Sequence, residues 1–268
     1  MRRIDICLSG DAIYGDDFGS DDINAWFLDE AEGYAGLCAR NGDSYSYSYH
    51  ALNRRLGFRH LPNCRFSNVL GFGSACGDEL LPIIERVDQV TIVDASDAFV
   101  RQELHGKPVR YIKAKASGDL PLSTEAFDLI TCLGVLHHIP NVSHVIRELT
   151  RVLTPGGHML LREPIVSMGD WRRPRQGLTR RERGIPLRLL LDTVIENDLE
   201  VLTSNLCAFP ITPRIFRGWR TDAYNSTAAV TIDGLLSRLF AWNVNYHPTH
   251  PIQRLRPTSV YLVLRKPR

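Results

Sequence analysis

The sequence predicts an α/β fold of the Rossmann-like, doubly wound class, built on a mostly parallel sheet of seven strands. From residue 68 onward, short apolar runs alternate with stretches of helical periodicity, as strands and helices do in this class. The runs are apolar at consecutive positions, which is typical of parallel strands buried on both faces. A glycine-rich turn at residues 71–77 joins the first run to the helix predicted after it.

The order of the predicted elements agrees with this architecture. Strands are predicted at residues 68–72, 89–93, 109–114, 127–133, 158–161, 199–205 and 259–264. Helices are predicted after the glycine turn, after Ser96, and at residues 23–38, 50–56, 142–153, 185–197 and 231–242. The Pro-Gly-Gly sequence at 155–157 predicts a break before the fifth strand.

The chain divides into two predicted parts. Residues 1–60 lack strand-like alternation, apart from an ambiguous stretch at 43–49, and we expect them to be helical. Residues 61–268 form the α/β domain, with an insertion at about 206–256 before the last strand. The insertion is rich in aromatic side chains, which can either wall a ligand pocket or form the interface of a homodimer.

Composition disfavours several classes of protein. The formal net charge is only +2, so no overall field favours nucleic acid or a membrane surface as a partner. No apolar run approaches the roughly 20 residues that a membrane-spanning helix needs. The six cysteines show no C-x-x-C pairing, so we expect reduced thiols, a cytoplasmic protein and no metal site.

The glycine turn and the acid that follows the second strand carry the first functional signal. Glycines let a backbone approach a ligand closely, and the helix after the turn offers unpaired N–H groups. Asp94 comes 21 residues after Gly73, where a carboxylate can accept hydrogen bonds from both hydroxyls of a ribose. The pair indicates a ligand that contains adenosine. The spacing of Gly71, Gly73 and Gly77 also fits some nicotinamide dinucleotide sites, and a tight turn without a ligand is a further alternative.

Six blocks of sequence extend this signal from about residue 69 to 164. They are residues 69–77, 91–94, 118–121, 127–130, 134–139 and 153–157. In this order they resemble the class I S-adenosylmethionine-dependent methyltransferases, in particular the small-molecule group called type 11. The resemblance implies an enzyme that uses S-adenosylmethionine and releases S-adenosylhomocysteine, with residues 1–60 as a helical lid. An NAD(P)-dependent oxidoreductase is the weaker alternative, because such enzymes have no reason to carry the Leu-His-His-Ile and Leu-Thr-Pro-Gly-Gly blocks together.

The resemblance also assigns a cofactor site. By it, residues 73–77 wrap the amino-acid part of the cofactor, and Asp94 holds the ribose. Residues 116–117 border the adenine, and Leu133 lines the methionine side. The predicted cofactor-binding residues are Gly71, Phe72, Gly73, Ser74, Gly77, Asp94, Ala95, Ala116, Ser117, Leu133 and Gly134.

Two positions depart from the family pattern. The family usually has an acid where this chain has Gly71, and that acid organises contacts to the ammonium of the cofactor. It often has an acid at the position of Ala116 as well. Asp78 or Glu79 can compensate for the first loss, and Ser117 or a backbone carbonyl for the second. Loss of both functions would leave a non-catalytic paralogue that binds the cofactor and acts through a partner.

Candidate catalytic residues follow the fourth and fifth strands, where such sheets bind ligands. A methyl acceptor with a hydroxyl group needs a base, and we expect it among His137, His138 and Glu163. Each histidine can instead only pack or cap a helix. We expect a small-molecule or glycan-precursor acceptor that is methylated at oxygen.

An arginine-rich loop starts at this edge of the sheet. Residues 172–183 hold six arginines and one glutamate. Trp171, Arg172 and Arg173 are predicted to bind an anionic acceptor, such as a phosphorylated or nucleotide-linked sugar. The alternative is that the loop pairs with the acidic stretch at residues 11–32. Tyr49, in the predicted lid, either contacts the sulfonium by a cation–π interaction or packs the lid on the sheet.

Overall fold

A computed structural model describes residues 3–41, 47–171, 173, 175–216 and 222–268, with no side chains described at 31–41. Its centre is one sheet of eight strands. The strands are β1 (Phe66–Phe72), β2 (Val87–Asp94), β3 (Glu103–Leu104), β4 (Lys107–Lys113), β5 (Phe127–Leu133), β6 (Leu153–Pro164), β7 (Glu200–Cys207) and β8 (Ser259–Arg265).

The sheet is ordered β3-β4-β2-β1-β5-β6-β8-β7 and is mostly parallel. Strands β4, β2, β1, β5 and β6 form the parallel part, while β8 runs antiparallel to both β6 and β7. The predicted Rossmann-like class is therefore confirmed, with one strand more than predicted. The extra strand, β3, exists because His105 and Gly106 both adopt positive φ and form a two-residue turn onto β4.

Seven α-helices belong to the described part of the chain. They are α1 (Arg3–Ser9), α2 (Ser20–Asn41), α3 (His50–Leu56), α4 (Val142–Val152), α5 (Leu187–Glu196), α6 (Thr212–Phe216) and α7 (Thr227–Leu239). None of the helices in the described ranges is long and apolar enough to cross a lipid bilayer.

Three predicted features take a different local form. The helix after the glycine turn is a 3-10 helix (Asp78–Arg86), and Pro82 inside it removes an amide that an α-helix would use. Ser96 caps a helix as predicted, but this helix is a short 3-10 turn, Asp97–Phe99. The Pro-Gly-Gly sequence at 155–157 lies within β6, which begins at Leu153 and shifts its register against β5.

The sheet separates two apolar cores. Leu70 and Ile130 belong to the core on the side of α4 and α5, and Leu129 belongs to the core on the side of α3 and the 3-10 helix that follows β1. Both faces are thus covered, which explains why the central strands are apolar at consecutive positions. Ligands can reach the sheet only at the ends of its strands, and the carboxyl ends of β1, β2 and β5 meet at one edge.

The turn after β5, residues 134–140, is fixed at this edge by Arg183. Its buried guanidinium donates hydrogen bonds to five backbone carbonyls, those of Tyr14, Leu136, His137, Ile139 and Pro140. It has no carboxylate within ion-pair distance among the described residues. The carbonyl dipoles therefore compensate the buried charge. This one side chain joins the arginine-rich loop, the N-terminal segment and the turn that follows β5.

We expect Arg183→Met to lower the free energy of unfolding by at least about 3 kcal/mol, because it leaves several buried carbonyls without a donor. Urea unfolding measures the change. Arg188→Met is the matched control, since Arg188 on α5 is exposed and pairs only with Asp192 one helical turn away. The control should stay within about 0.5 kcal/mol of the wild type. Equal unfolding midpoints for both variants would contradict this role of Arg183.

Candidate functional site

A cavity of about 1180 Å³ opens at the carboxyl ends of β1, β2 and β5. It is larger than the roughly 300–1,000 Å³ of an ordinary small-molecule site, so it has room for two ligands. Eight predicted cofactor residues line it: Phe72, Gly73, Ser74, Asp94, Ala95, Ala116, Leu133 and Gly134. Three do not line it: Gly71, Gly77 and Ser117.

The glycine turn packs tightly against the turn after β5. Gly73 adopts φ +63°, and a Cβ atom there would lie 2.4 Å from Cγ1 of Val135. Only glycine fits both the conformation and the contact. Ala75 also adopts a positive φ of 47°. Its amide points back to the end of β2, where it donates to Asp94.

Asp94 is fixed at the end of β2 by the loops on either side of it. One carboxylate oxygen accepts from the amide of Ala75 at 2.9 Å, and the other accepts from the amide of Ser96 at 3.0 Å. Burial raises the pKa of Asp94, and hydrogen bonds from backbone amides oppose this effect. The carboxylate faces the cavity in a fixed orientation, as a group that binds ribose hydroxyls requires.

Glu79 lies where the missing acid of Gly71 would be. Its Oε1 is 3.3 Å from the position that a Cβ atom on residue 71 would occupy, and it accepts a hydrogen bond from Thr131 at 3.2 Å. Ser74 is a further hydrogen-bond partner of this buried side chain. Burial raises the pKa of Glu79 to about 7. Asp78 also lines the cavity but lies 3.9 Å from the guanidinium of Arg101 instead.

His137 and Glu163 form a buried pair at the other end of the cavity. His137 Nδ1 lies 2.8 Å from Glu163 Oε2, and the amides of Val135, Leu136 and His137 also donate to this carboxylate. Burial lowers the pKa of His137, so the imidazole is neutral at pH 7. Burial opposes ionisation of Glu163, but hydrogen bonds from His137 and the amides outweigh it and hold the pKa of the carboxyl below its ordinary value. Glu163 is fully buried and does not line the cavity, whereas His137 does.

His138 contacts a different carboxylate. Its Nδ1 lies 2.9 Å from Oε2 of Glu30, a buried residue of α2 whose other oxygen accepts from the hydroxyl of Thr179 at 2.6 Å. The backbone carbonyl of His138 accepts from the indole N–H of Trp26, also on α2. The ring centroids of His137 and His138 are 3.9 Å apart. Helix α2 thus forms part of the wall beside both histidines.

Glu182 completes this cluster, and the sequence did not indicate its role. Its Oε1 lies 3.6 Å from Nε2 of His137. Ligand atoms of His137, His138 and Glu182 all lie within 4.8 Å of one another, so the three residues could hold a metal ion. A single acid within a run of arginines was the only signal, because the three ligands come from distant parts of the chain.

The structure places the arginine-rich loop against the N-terminal segment and not along the cavity. Trp171 is buried and stacks on Tyr14 at 5.0 Å between ring centroids, and Arg173 is exposed. Neither lines the cavity, and Arg172 lies outside the described residues. Arg181 pairs with Asp29 at 2.6 Å, in agreement with the alternative that the loop pairs with the acidic stretch. The loop differs from the prediction because its polar and aromatic groups find partners within the protein.

Arg162 is a cavity residue that sequence reasoning missed. Its guanidinium lies over the ring of Tyr49 at 3.8 Å, and it donates to the side chain of Asn53 and to the carbonyl of Leu133. It is buried, lines the cavity together with Tyr49, and forms no ion pair with a described carboxylate. The available signal was an arginine directly after the apolar run 159–161 of a central strand.

Comparison with known proteins agrees with this geometry. A family model described as a methyltransferase domain matches residues 70–161. The ubiquinone/menaquinone biosynthesis C-methyltransferase of Shewanella pealeana is 29% identical over 131 residues, which are 45% of this chain and 52% of that protein. The ubiquinone biosynthesis O-methyltransferase of Pseudomonas entomophila is 34% identical over 91 residues, which are 31% of this chain and 39% of that protein. The chain therefore spans about half or less of the length of these curated relatives.

A solved structure with the same fold holds the product of the cofactor. It is the phosphoethanolamine N-methyltransferase 2 of Haemonchus contortus, in complex with phosphomonomethylethanolamine and S-adenosylhomocysteine. It aligns with a TM-score of 0.55 at 16% identity and covers 81% of this chain and 53% of that one. The matched range 70–161 contains the glycine turn, Asp94 and the turn after β5. Residues 70–161 match the methyltransferase-domain family, and the fold and the sequence blocks agree with a class I S-adenosylmethionine-dependent methyltransferase.

Proposed function

We propose that this protein transfers the methyl group of S-adenosylmethionine to an oxygen atom of a small-molecule acceptor, with His137 as the base. One observation carries the proposal: a single cavity extends from the glycine turn and Asp94 to the imidazole of His137. A cofactor bound at the first end would present its methyl group toward the second end. Glycan precursors belong to the acceptor class that we propose.

The cofactor end offers complementary groups for each part of the ligand. Asp94 would accept hydrogen bonds from the ribose hydroxyls, and Ala95 and Ala116 would border the adenine. The cofactor supplies an activated methyl group on a sulfonium, so the protein needs to bind, orient and exclude water. Phe27 and Glu30 of α2 line the same cavity, which supports a covering role for the N-terminal helices.

The acceptor end offers a positioned base. The C–S bond breaks as the O–CH₃ bond forms, and the hydroxyl proton of the acceptor moves to Nε2 of His137. The imidazole is available for this proton because burial keeps it neutral. Glu163 then stabilises the imidazolium through Nδ1, at 2.8 Å. Glu163 is a positioning residue in this scheme, since its carboxylate is enclosed by amides and does not line the cavity.

We assign the histidine cluster to proton transfer and not to a metal. His137 Nδ1 and both oxygens of Glu163 have hydrogen-bond partners, and Glu182 Oε2 accepts from the amide of Thr179. These bonds leave Nε2 of His137 and Oε1 of Glu182 3.6 Å apart, and the EDTA experiment described below tests the metal alternative at this position. The predicted anionic acceptor loses its support from the loop, because Trp171 and Arg173 do not line the cavity.

Ligand binding is the first prediction of this proposal. S-adenosylhomocysteine at about 100 times its Kd should raise Tm by roughly 5–10 °C, since such saturation stabilises a protein by about 2.7 kcal/mol. NAD and NADP at the same concentrations should leave Tm unchanged. A shift with the dinucleotides alone would identify an oxidoreductase. No shift with the sulfur compound would contradict the proposed function.

Removal of the base is the second prediction. His137→Ala should lower kcat by about 10²–10⁴-fold and leave the affinity for S-adenosylhomocysteine unchanged. The assay follows S-adenosylhomocysteine release with a panel of hydroxylated acceptors. His60→Ala is the control, because His60 follows α3 outside the cavity. A non-catalytic paralogue would bind the ligand and show no turnover with either variant or the wild type.

The pH dependence of kcat/KM for the acceptor, measured at saturating S-adenosylmethionine, gives a third prediction. The base must be deprotonated, and burial lowers the pKa of His137 from its ordinary 6.5. Activity should therefore rise with pH, with a midpoint below 6.5, and be level at neutral pH. The His137→Ala variant should lack this rise. Activity that disappears with EDTA and returns with a divalent metal would show that the cluster binds a metal, against our assignment.

A further inference from the structure

Two buried, oppositely charged side chains line the cavity without pairing with each other. Glu79 lies in the 3-10 helix after β1, and Arg162 lies near the end of β6. A buried charge is costly unless a partner compensates it. No ion pair within 4.0 Å joins these two residues or connects either of them to another described side chain. Each side chain faces the cavity, where a ligand group of opposite charge would compensate its buried charge.

The position of Glu79 is set by Gly71. A side chain at residue 71 would collide with Ser74, whose Oγ lies 2.5 Å from the Cβ position, and would approach Glu79 Oε1 at 3.3 Å. Because residue 71 has no side chain, the space beside it stays open, and the carboxyl of Glu79 lies next to this space. Among the described residues, the carboxyl has neutral hydrogen-bond partners: the hydroxyls of Thr131 and Ser74 and its own backbone amide. It can therefore reach a cation in the cavity with an oxygen that is already oriented.

The position of Arg162 is set by Tyr49 and Asn53 on one side. The ring of Tyr49 lies 3.8 Å from the guanidinium carbon, and Asn53 and the carbonyl of Leu133 accept long hydrogen bonds of 3.4 and 3.3 Å. A guanidinium has five N–H donors in a planar fork that matches a carboxylate. Toward the described residues, these two long bonds leave most of that capacity unused.

The sheet places both groups on the same face. Glu79 bonds to Thr131 of β5, and Arg162 is in register with Leu133 of the same strand. Side chains two residues apart point to the same face, and the step between them is about 6.6 Å. Glu79 and Arg162 both line the cavity, where a carboxylate and a guanidinium can bind the two charged ends of an α-amino acid, each by a hydrogen bond of about 2.9 Å.

We propose that Glu79 and Arg162 together bind the amino-acid end of S-adenosylmethionine, with the ammonium on Glu79 and the carboxylate on Arg162. The inference rests on the proposed function and deepens it, because it assigns the group that replaces the acid missing at Gly71. The pair compensates both buried charges only when the ligand is bound. It also selects cofactors that keep a complete amino acid.

Ligands that differ in this end alone test the proposal. Isothermal titration compares S-adenosylhomocysteine with 5′-methylthioadenosine, which lacks the amino-acid end. Glu79→Gln and Arg162→Gln should each lower the affinity for S-adenosylhomocysteine at least about tenfold. They should change the affinity for 5′-methylthioadenosine by less than about twofold. Asp78→Asn and Arg101→Gln are the matched controls, since both residues line the same cavity. The controls should leave both affinities within about twofold of the wild type.

Other outcomes overturn the inference. If Arg162→Gln binds S-adenosylhomocysteine as tightly as the wild type does, Arg162 does not bind the cofactor and the proposal is wrong. If a variant loses affinity equally for both ligands, the substituted residue has a merely structural role. Far-ultraviolet circular dichroism checks folding, and Arg162→Lys, which keeps the charge, should recover part of the affinity. If the wild type binds neither ligand, the proposed function itself fails.

The pH dependence of binding is an independent test. Ammonium binds the ionised form of Glu79, whose pKa burial raises to about 7. The charged and titratable groups that act on Glu79 are Asp78 and Tyr261, and Tyr261 also interacts with Arg162. Affinity for S-adenosylhomocysteine should therefore rise about 10–30-fold between pH 5.5 and 7.0, a range below the pKa of an α-amino group. Affinity for 5′-methylthioadenosine, and all binding to Glu79→Gln, should be level over this range. A level profile for the wild type with S-adenosylhomocysteine would contradict the role of Glu79.

Discussion

The turn that follows β5 is bonded to two buried ions of opposite charge, and the site depends on this arrangement. Glu163 accepts hydrogen bonds from the amides of Val135, Leu136 and His137. Arg183 donates hydrogen bonds to carbonyls between residues 136 and 140. The segment forms only one short 3-10 turn, Leu136–His138, in which the amides of His138 and Ile139 donate to the carbonyls of Val135 and Leu136. A buried backbone group without a partner costs about as much as a lost hydrogen bond, so the two ions fix one conformation.

This conformation determines where the chemistry can occur. The turn directs His137 into the cavity and lets Val135 pack against Gly73, so the cofactor end and the acceptor end are in direct contact. Glu163 bonds the amides and the imidazole with the same carboxylate. The base that we propose is thus held by the group that would also stabilise its protonated form. The same carboxylate, that of Glu163, therefore sets both the orientation of the imidazole and the charge next to it.

The fold and the cofactor end were predictable from the sequence, because their signals are local. Apolar runs identify the buried strands, and the glycine turn and Asp94 follow from their place at strand ends. The acceptor end was predicted only in part. Glu30 lies 108 residues from His138, to which it bonds, and no local pattern connects them. Arginines at 172–183 can bind a ligand or the protein equally well, and the packing of Trp171 on Tyr14 and the ion pair of Arg181 with Asp29 distinguish the two. The sequence did not reveal the role of Arg162, because that role depends on whether its charged side chain faces the cavity, and only the fold determines this.

The bonds between the N-terminal segment and the loop at residues 165–186 have a consequence for engineering. Thr179 bonds to Glu30, Arg181 to Asp29, and Arg183 to the carbonyl of Tyr14. The two segments are far apart in the chain but form one structural unit around the histidines. A chimera that takes the loop from one homologue and the first 41 residues from another would separate these partners. A swap between homologues therefore keeps these bonds only when both segments are exchanged together.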